Sequence, residues 1–410
     1  MGSSKIERSV KKPLNKIINK LYESQHELLV STTKKTVAYT STPNLVFLIP
    51  PTTAGSLGDE AMLVAVYTRL ISEGKNCIIV SGDVEGNERL KLYGLNPEEI
   101  GVNGLYDGFW GIKKFQKVLL KHQPESVYLI GADVMDGFYS IMRSINRLTI
   151  LKLAAEFCQD SRLLGFSFNA EPEEKVLNFF KKCSGKFKIQ PRDPISSERL
   201  TAHGIENKCV ADLAFMLKPD SSLRENLPEG DYICINLNAI HLNKWGNEFF
   251  DLTVGMVEHL FNNTAFSIVF ISHDFRKFDG VSDYDFSKLV AQKLNIDNSK
   301  RVTFVDEYAT AAQLKGTVKG AQFTLTGRMH FAIASLGNAV PTLMIGYQGK
   351  QEGLAKHFEL DLSKTVITPT SSLQNAIMIL KDVEDRRDEI FEKLNNRLPV
   401  VQELSLSNIR

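Results

Sequence analysis

Phe323-Thr324-Leu325-Thr326-Gly327-Arg328-Met329-His330-Phe331-Ala332-Ile333-Ala334-Ser335-Leu336-Gly337-Asn338 reads as a buried strand end, a glycine turn and a short apolar helix closed by Gly-Asn. Val340-Pro341-Thr342-Leu343-Met344-Ile345 follows as a second strand, which makes the whole a strand–helix–strand unit of a parallel sheet. The turn sets Arg328 and His330 at the helix N-terminus, where free N–H groups and the helix dipole favour an anion. Arg328 brings a planar fork matched to carboxylate or phosphate, and His330 a proton donor or second anion contact. The competing local reading is an arginine that caps the helix or pairs with a nearby carboxylate.

Working outward, the same alternation runs through most of the chain. Asn44–Ile49 is a continuous apolar run bounded by Pro50-Pro51, a fully buried first strand. Further strands are expected at 77–81, 126–130, 162–167, 186–189 and 208–210, with helices near 112–122, 141–157, 173–183 and 196–203. After Leu217-Lys218-Pro219-Asp220 and Pro228-Glu229-Gly230, the best linker in the sequence, the pattern restarts. Strands are expected at 232–237, 267–272, 301–305 and 322–325, and a long final helix near 373–394. The reading is α/β: two Rossmann-like domains facing a central cleft. Residues 43–218 form the first and 228–365 the second. Residues 366–410 are a helix and tail, and 1–42 an extension.

The 410 residues suffice for two cores, and a net charge of +1 gives no reason to expect nucleic acid. The five cysteines are odd in number and form no Cys-x-x-Cys pair, so neither a zinc cage nor a disulfide framework is signalled and a reducing cytoplasm is expected. No stretch is apolar over the ~18 residues a membrane span needs. The extension carries Lys5, Arg8, Lys11, Lys12, Lys16 and Lys20, with Leu14, Ile17, Ile18 and Leu21 at helical spacing. Such a basic amphipathic helix fits peripheral contact with the inner face of a membrane, or packing on the body or another subunit of a homo-oligomer.

Polar residues crowd the expected strand ends, where ligands gather in open parallel sheets. The first loop, Gly55-Ser56-Leu57-Gly58-Asp59-Glu60, is neither a P-loop nor a dinucleotide turn, but its backbone can approach a ligand. Asp133, Asp136, Asn169, Arg192 and Asp193 follow later strands, and His241, His273 and Asp274 follow strands of the second half. Asp59 and Asp193 have a structural alternative, capping the helices they precede. Asp274, Asp283 and Asp285 lack a metal-ligand pattern, and no metal is expected.

Taken together, several segments resemble the polysaccharide pyruvyl transferase family. Gly55-Ser56-Leu57-Gly58-Asp59-Glu60-Ala61 is similar to its first-loop motif G-N-x-G-D-E-A. Pro191-Arg192-Asp193 with Ser196 resembles its R-D-x-x-S, and Asp212-Leu213-Ala214-Phe215 its D-P-A-F. Ser272-His273-Asp274 is similar to its histidine loop, and Arg328-Met329-His330 with Pro341 and Tyr347 to Lys350 to its R-L-H…P…Y…K block. The resemblance runs from about residue 44 to 360. One departure matters: Gly131-Ala132-Asp133 stands where the family often has three glycines, setting a carboxylate near an anionic donor.

What the resemblance implies is a two-domain fold of the GT-B type and transfer of a pyruvyl group from phosphoenolpyruvate to two hydroxyls of a sugar or lipid-linked oligosaccharide. Phosphoenolpyruvate is a co-substrate, and no further cofactor is implied. On this reading Arg192, Arg328 and Lys350 hold the donor with Gly55 and Ser56. His330, Asp59, Asp193 and His273 carry protons, and Asp133, Asp136, Asn169 and His241 meet the acceptor. Two other classes stay open: a GT-B glycosyltransferase using a nucleotide sugar, and a non-catalytic subunit of polysaccharide assembly.

Overall fold

A computed structural model describes residues 39–51, 55–82, 85–306, 308–346 and 349–410. The expected basic helix within 1–38 and the motif residue Tyr347 lie outside the described residues.

The first half runs β1 (Thr42–Ile49), α1 (Leu57–Ser72), β2 (Asn76–Ser81), β3 (Glu98–Gly101), α2 (Phe109–His122), β4 (Pro124–Ala132), α3 (Ile141–Ala154), β5 (Asp160–Phe166), α4 (Glu174–Cys183), β6 (Lys188–Pro191) and α5 (Pro194–Ala202). The second runs β7 (Tyr232–Asn236), α6 (Ala239–Asn263), β8 (Ser267–Phe270), α7 (Asp283–Lys293), β9 (Val302–Phe304), α8 (Ala311–Val318), β10 (Thr324–Thr326), α9 (Met329–Leu336), β11 (Thr342–Ile345), α10 (Lys350–His357), α11 (Leu362–Thr365), β12 (Val366–Ile367), α12 (Leu373–Asp385) and α13 (Arg387–Leu406). The sheets have orders β3-β2-β1-β4-β5-β6 and β12-β11-β10-β7-β8-β9. Every pairing is parallel.

The two orders are one topology used twice, with strand order reversing between β1 and β4 and again between β7 and β10. Those reversals leave a crevice outside the strand carboxyl ends, where α/β sheets take ligands. The strands are buried on both faces, as continuous apolar runs require: Phe47, Leu48 and Ile49 in β1, and Cys234 and Ile235 in β7, have no exposed surface. Burial pushes the thiols of Cys77 and Cys183 up to about 12, leaving them inert fillers of the core.

Three expectations are corrected. Residues 208–210 hydrogen-bond to β6 through Lys208 and Val210 without forming a strand. β3 and β12, short and partly exposed, were not anticipated. The long final helix is two, broken at Arg386, and the second continues through Pro399. The tail also ties the two halves together. Its end crosses back to the first sheet, where Asn408 Oδ1 accepts from Gly165 N–H at 3.1 Å. There Arg162 Nη1 donates to the carbonyls of Asn408 and Arg410, each at 2.8 Å, and Ser405 Oγ donates to Asp212 O at 2.7 Å.

Candidate functional site

A cavity of about 520 Å³ opens at the crevice between the sheets, lined from both halves. Its floor is stitched by backbone: Leu57 N–H donates to His273 O at 3.3 Å, and Phe275 N–H to Gly55 O at 3.2 Å. Ser56, the N-cap of α1, accepts from Asp59 N–H at 3.3 Å, so the capping expected of this loop falls to Ser56, and Asp59 lines the cavity. Glu60, the next residue of the motif, clamps the halves instead. It accepts from Arg89 Nε and Tyr93 Oη at 2.5 Å each, and from the N–H of Ala311 in α8 at 3.3 Å.

Both glycines of the loop are dictated by what lies on them. Gly55 has φ +114°, and a Cβ there would fall 2.4 Å from Arg276 Cγ. At Gly58 the obstacle is the functional imidazole itself, with a Cβ 2.1 Å from His330 Nδ1.

His330, in the first turn of α9, presents Nε2 to Arg192 Nη1 at 3.2 Å and to Asp212 Oδ2 at 3.6 Å. Arg192 and Asp212 form an ion pair at 2.8 Å with both side chains 1% exposed. Burial alone would raise the Asp212 pKa, but Arg192 and His330 hold it well below the usual carboxylate range. A second ion-pair cluster flanks the first. Arg328 donates to Asp283 at 2.7 and 3.0 Å and to Asp274 at 3.1 Å, and Arg276 takes the rest of Asp274. Burial works against the charge of Arg328, and the two aspartates more than offset it. Lys350 crosses the cleft to Asp133 at 2.8 Å, and Tyr139 Oη donates to the same oxygen.

Measured against the sequence reading, Ser56, Asp59, Asp133, Arg192, His273, Arg328, His330 and Lys350 line the cavity together. Five expected residues do not. Gly55 lies beneath Arg276. Asp193 is buried and caps α5, accepting from the N–H and Oγ of Ser196 at 2.7 Å each; its structural alternative holds. Asp136 is buried and accepts from the N–H groups of Phe138 and Asn169, so it and Asn169 shape the loop behind the cavity. His241 packs edge-on to Trp245 and Phe249.

Three readings change within the cavity. His273 is buried, and desolvation first, then His330 and Arg328, push its pKa down to about 3. It is therefore neutral near pH 7, a hydrogen-bonding group and not a charged anion contact. Asp133 is not a bare carboxylate facing the donor, because Lys350 balances it. Likewise Arg328 does not offer an open fork: three of its donors are spent on Asp283 and Asp274, leaving one N–H on each terminal nitrogen.

Sequence reasoning missed Arg276, Arg147, Arg143 and Asn238 in the lining, and Asp212, Asp274 and Asp283 as the carboxylates behind it. The family motifs already contained Asp212 and Asp274, but their partners lie too far along the chain to be inferred. Among the described residues no group of three or more His, Cys, Asp or Glu could hold a metal ion. No described helix is long and apolar enough to cross a membrane.

Comparison with known proteins agrees with this geometry. The family model for polysaccharide pyruvyl transferase matches residues 57–349, from the start of α1 to the residue before α10. No curated protein sequence matches the chain. Among solved structures, UDP-GlcNAc 2-epimerase from Methanocaldococcus jannaschii is similar at 15% identity and TM-score 0.55, over 88% of this chain and 99% of that one. The Neisseria meningitidis UDP-GlcNAc 2-epimerase bound to UDP-GlcNAc is similar at 13% and 0.57, over 88% and 98%. A glycosyltransferase from Rickettsia africae is similar at 11% and 0.57, over 90% and 98%. At such identities the likeness is one of fold, the GT-B arrangement of two Rossmann-like sheets.

Proposed function

This chain belongs to the polysaccharide pyruvyl transferase family, and from that premise we propose that it moves a pyruvyl group from phosphoenolpyruvate to two hydroxyls of one sugar in a cell-surface polysaccharide precursor. The product is a cyclic ketal. The observation that carries the reading is the His330 imidazole held between a buried Arg192–Asp212 pair and the first-loop glycine. A proton carrier is thus fixed in place beside a cation at a cleft between two lobes.

The chemistry balances without an added reductant or oxidant. A proton from His330 goes to the methylene carbon of the donor, making a methyl group and an oxocarbenium-like C2. The first sugar hydroxyl attacks C2, the bond from C2 to the phosphate oxygen breaks, and the second hydroxyl closes the ring. One hydroxyl proton restores His330, and the other leaves on inorganic phosphate. Arg192 and Asp212 fix the ring in place through Nε2 while the proton moves. Asp59 at the start of α1 is the base that takes one of these hydroxyl protons and hands it to the departing phosphate, so it ends the cycle ionised. The remaining N–H groups of Arg328, together with Arg192, face the carboxylate and phosphate, and their ion pairs hold them rigid before the donor arrives.

The test is incubation of the full chain with phosphoenolpyruvate and a panel of oligosaccharides, following inorganic phosphate and the pyruvyl mass gain on the sugar. His330→Asn should abolish both signals. Release of nucleoside diphosphate from a nucleotide sugar, with phosphoenolpyruvate untouched, would replace this reading by a glycosyltransferase.

A further inference from the structure

One cation of the cavity takes no part in the pairing that occupies the others. Arg147 lies in the second turn of α3, 2% exposed, and lines the cavity. Its guanidinium stacks on the Tyr106 ring at 4.0 Å and, among the described residues, gives a single hydrogen bond, from Nη2 to Pro51 O at 2.5 Å. Nε is buried with no hydrogen-bond partner, and no carboxylate lies within ion-pair distance among the described residues. A buried, unpaired charge is costly and is retained where something else meets it.

The helix that carries it points the same way. The first turn of α3 holds no acidic residue, and Ser140 caps only Arg143 N–H, at 3.3 Å. Arg143 stands in the first turn, where the helix dipole opposes its charge, and Arg147 lies four residues on, where the two like charges repel each other. A local arrangement that works against its helix marks a functional site. Arg143 also lines the cavity and pairs only with the exposed Asp107, at 2.8 Å. Asp59 and Asp107 are near enough to favour the Arg147 charge without forming an ion pair with it.

We propose that Arg147, Arg143 and the N-terminus of α3 form a second anion subsite, which takes a phosphate or carboxylate carried by the acceptor sugar. That the anion is carried by the acceptor rests on the function proposed above. The cavity is several times larger than a three-carbon donor requires. The loop leading into α3 also sets Phe138 and Tyr139 beside this end, each 59% exposed, and Tyr139 lines the cavity. Amphipathic rings at the mouth offer a sugar a stacking face, which phosphoenolpyruvate has no use for. Arg192 and His330 hold the donor, so the acceptor's negative group falls to the α3 end.

Calorimetry on the full chain separates the two sites. Phosphoenolpyruvate is titrated first. Glucose 1-phosphate, glucuronate and uncharged methyl glucoside are then titrated into protein saturated with it. At least one anionic sugar should bind with the donor present, and methyl glucoside should bind at least tenfold more weakly. The preference between phosphate and carboxylate names the group. Arg147→Gln should weaken the anionic sugar more than tenfold while changing the donor Kd less than twofold, and the exposed Arg143→Gln should weaken it two- to fivefold. Competition of both anionic sugars with the donor overturns the proposal, as does their failure to bind or unchanged affinity in Arg147→Gln. Should that variant not fold, unchanged affinity in Arg143→Gln overturns it alone. Anionic-sugar binding that depends on Arg147, with no donor binding, leaves the subsite standing and removes the pyruvyl transfer.

Discussion

Gly58→Ala tests the site at its tightest point. The added Cβ would stand 2.1 Å from Nδ1 and 2.3 Å from Cγ of His330, where ordinary contacts lie at about 3.5 Å, so roughly 1.4 Å must be found. The helix cannot give it, because Leu57 is bonded to His273, Ser56 bridges to Asp274, and Ala61 and Met62 are buried beneath. The imidazole must swing instead, and any swing of an ångström breaks its contacts to Arg192 and Asp212 at 3.2 and 3.6 Å. A misplacement of about 1 Å costs on the order of 100-fold in rate. Stability moves less: overpacking costs about 1–3 kcal/mol, against which alanine gains up to about 1 kcal/mol over glycine in a helix. The expected result is kcat for phosphate release down about 100-fold with Tm lowered by a few degrees, while Gly230→Ala, with nothing near its Cβ, changes neither. If Gly58→Ala keeps kcat within about threefold of wild type, the imidazole position carries no chemistry and the mechanism fails.

Three further outcomes follow from the ion pairs and buried imidazoles. Arg192→Met leaves Asp212 buried without its cation and should cost about 3–5 kcal/mol, read as a lower denaturant midpoint; adding Asp212→Asn should recover most of that stability but none of the activity. Asp133→Asn frees Lys350 for the donor at little cost, since the Asp133 side chain is 34% exposed and water screens the pair to about 1 kcal/mol or less; KM for phosphoenolpyruvate should fall about three- to tenfold, and a rise would show that Asp133 positions Lys350 productively. His241 and His273, both lowered to about 3 in the fold, bind protons only in the unfolded chain between about pH 6.5 and 3. Stability is thus full above about 6.5 and falls as the pH drops through that window. Thermal melts across pH 7 to 4 should show a decline that His241→Leu makes shallower, and an unchanged slope would contradict the buried neutral imidazole.

How far the sequence could be read depended on whether a feature is local. Apolar runs such as Leu45–Ile49 and Tyr232–Ile235 announce buried parallel strands because both of their faces are covered. β3, Glu98-Glu99-Ile100-Gly101 at the sheet edge, has no such run to announce it. The turn from Thr326 to His330 was legible for the same reason, since its glycine and its charges sit within one helical turn. The charge balance was not. A cluster of Arg192, Arg328, His330 and Lys350 looks strongly positive in one dimension. In three, carboxylates 20, 45 and 217 residues away neutralise most of it. Asp193 and Asp136 illustrate the opposite error: acidic residues at strand ends looked like chemistry and serve as caps and loop struts. Arg147 gave no signal at all, because an arginine in the middle of an amphipathic helix looks like any solvated one until its burial is seen.

The return of the last turn of α13 onto β5 also bears on how the molecule is assembled as it is synthesised. The first sheet leaves the ribosome early, yet its strand β5 and the backbone of Asp212 wait for groups some two hundred residues downstream. That half must therefore remain an unfinished, holdable intermediate while the second sheet is made, and loops closed this late form slowly. Replacing Asn408 by alanine would strip the acceptor from Gly165 N–H, so a change in the tail is felt in the opposite lobe.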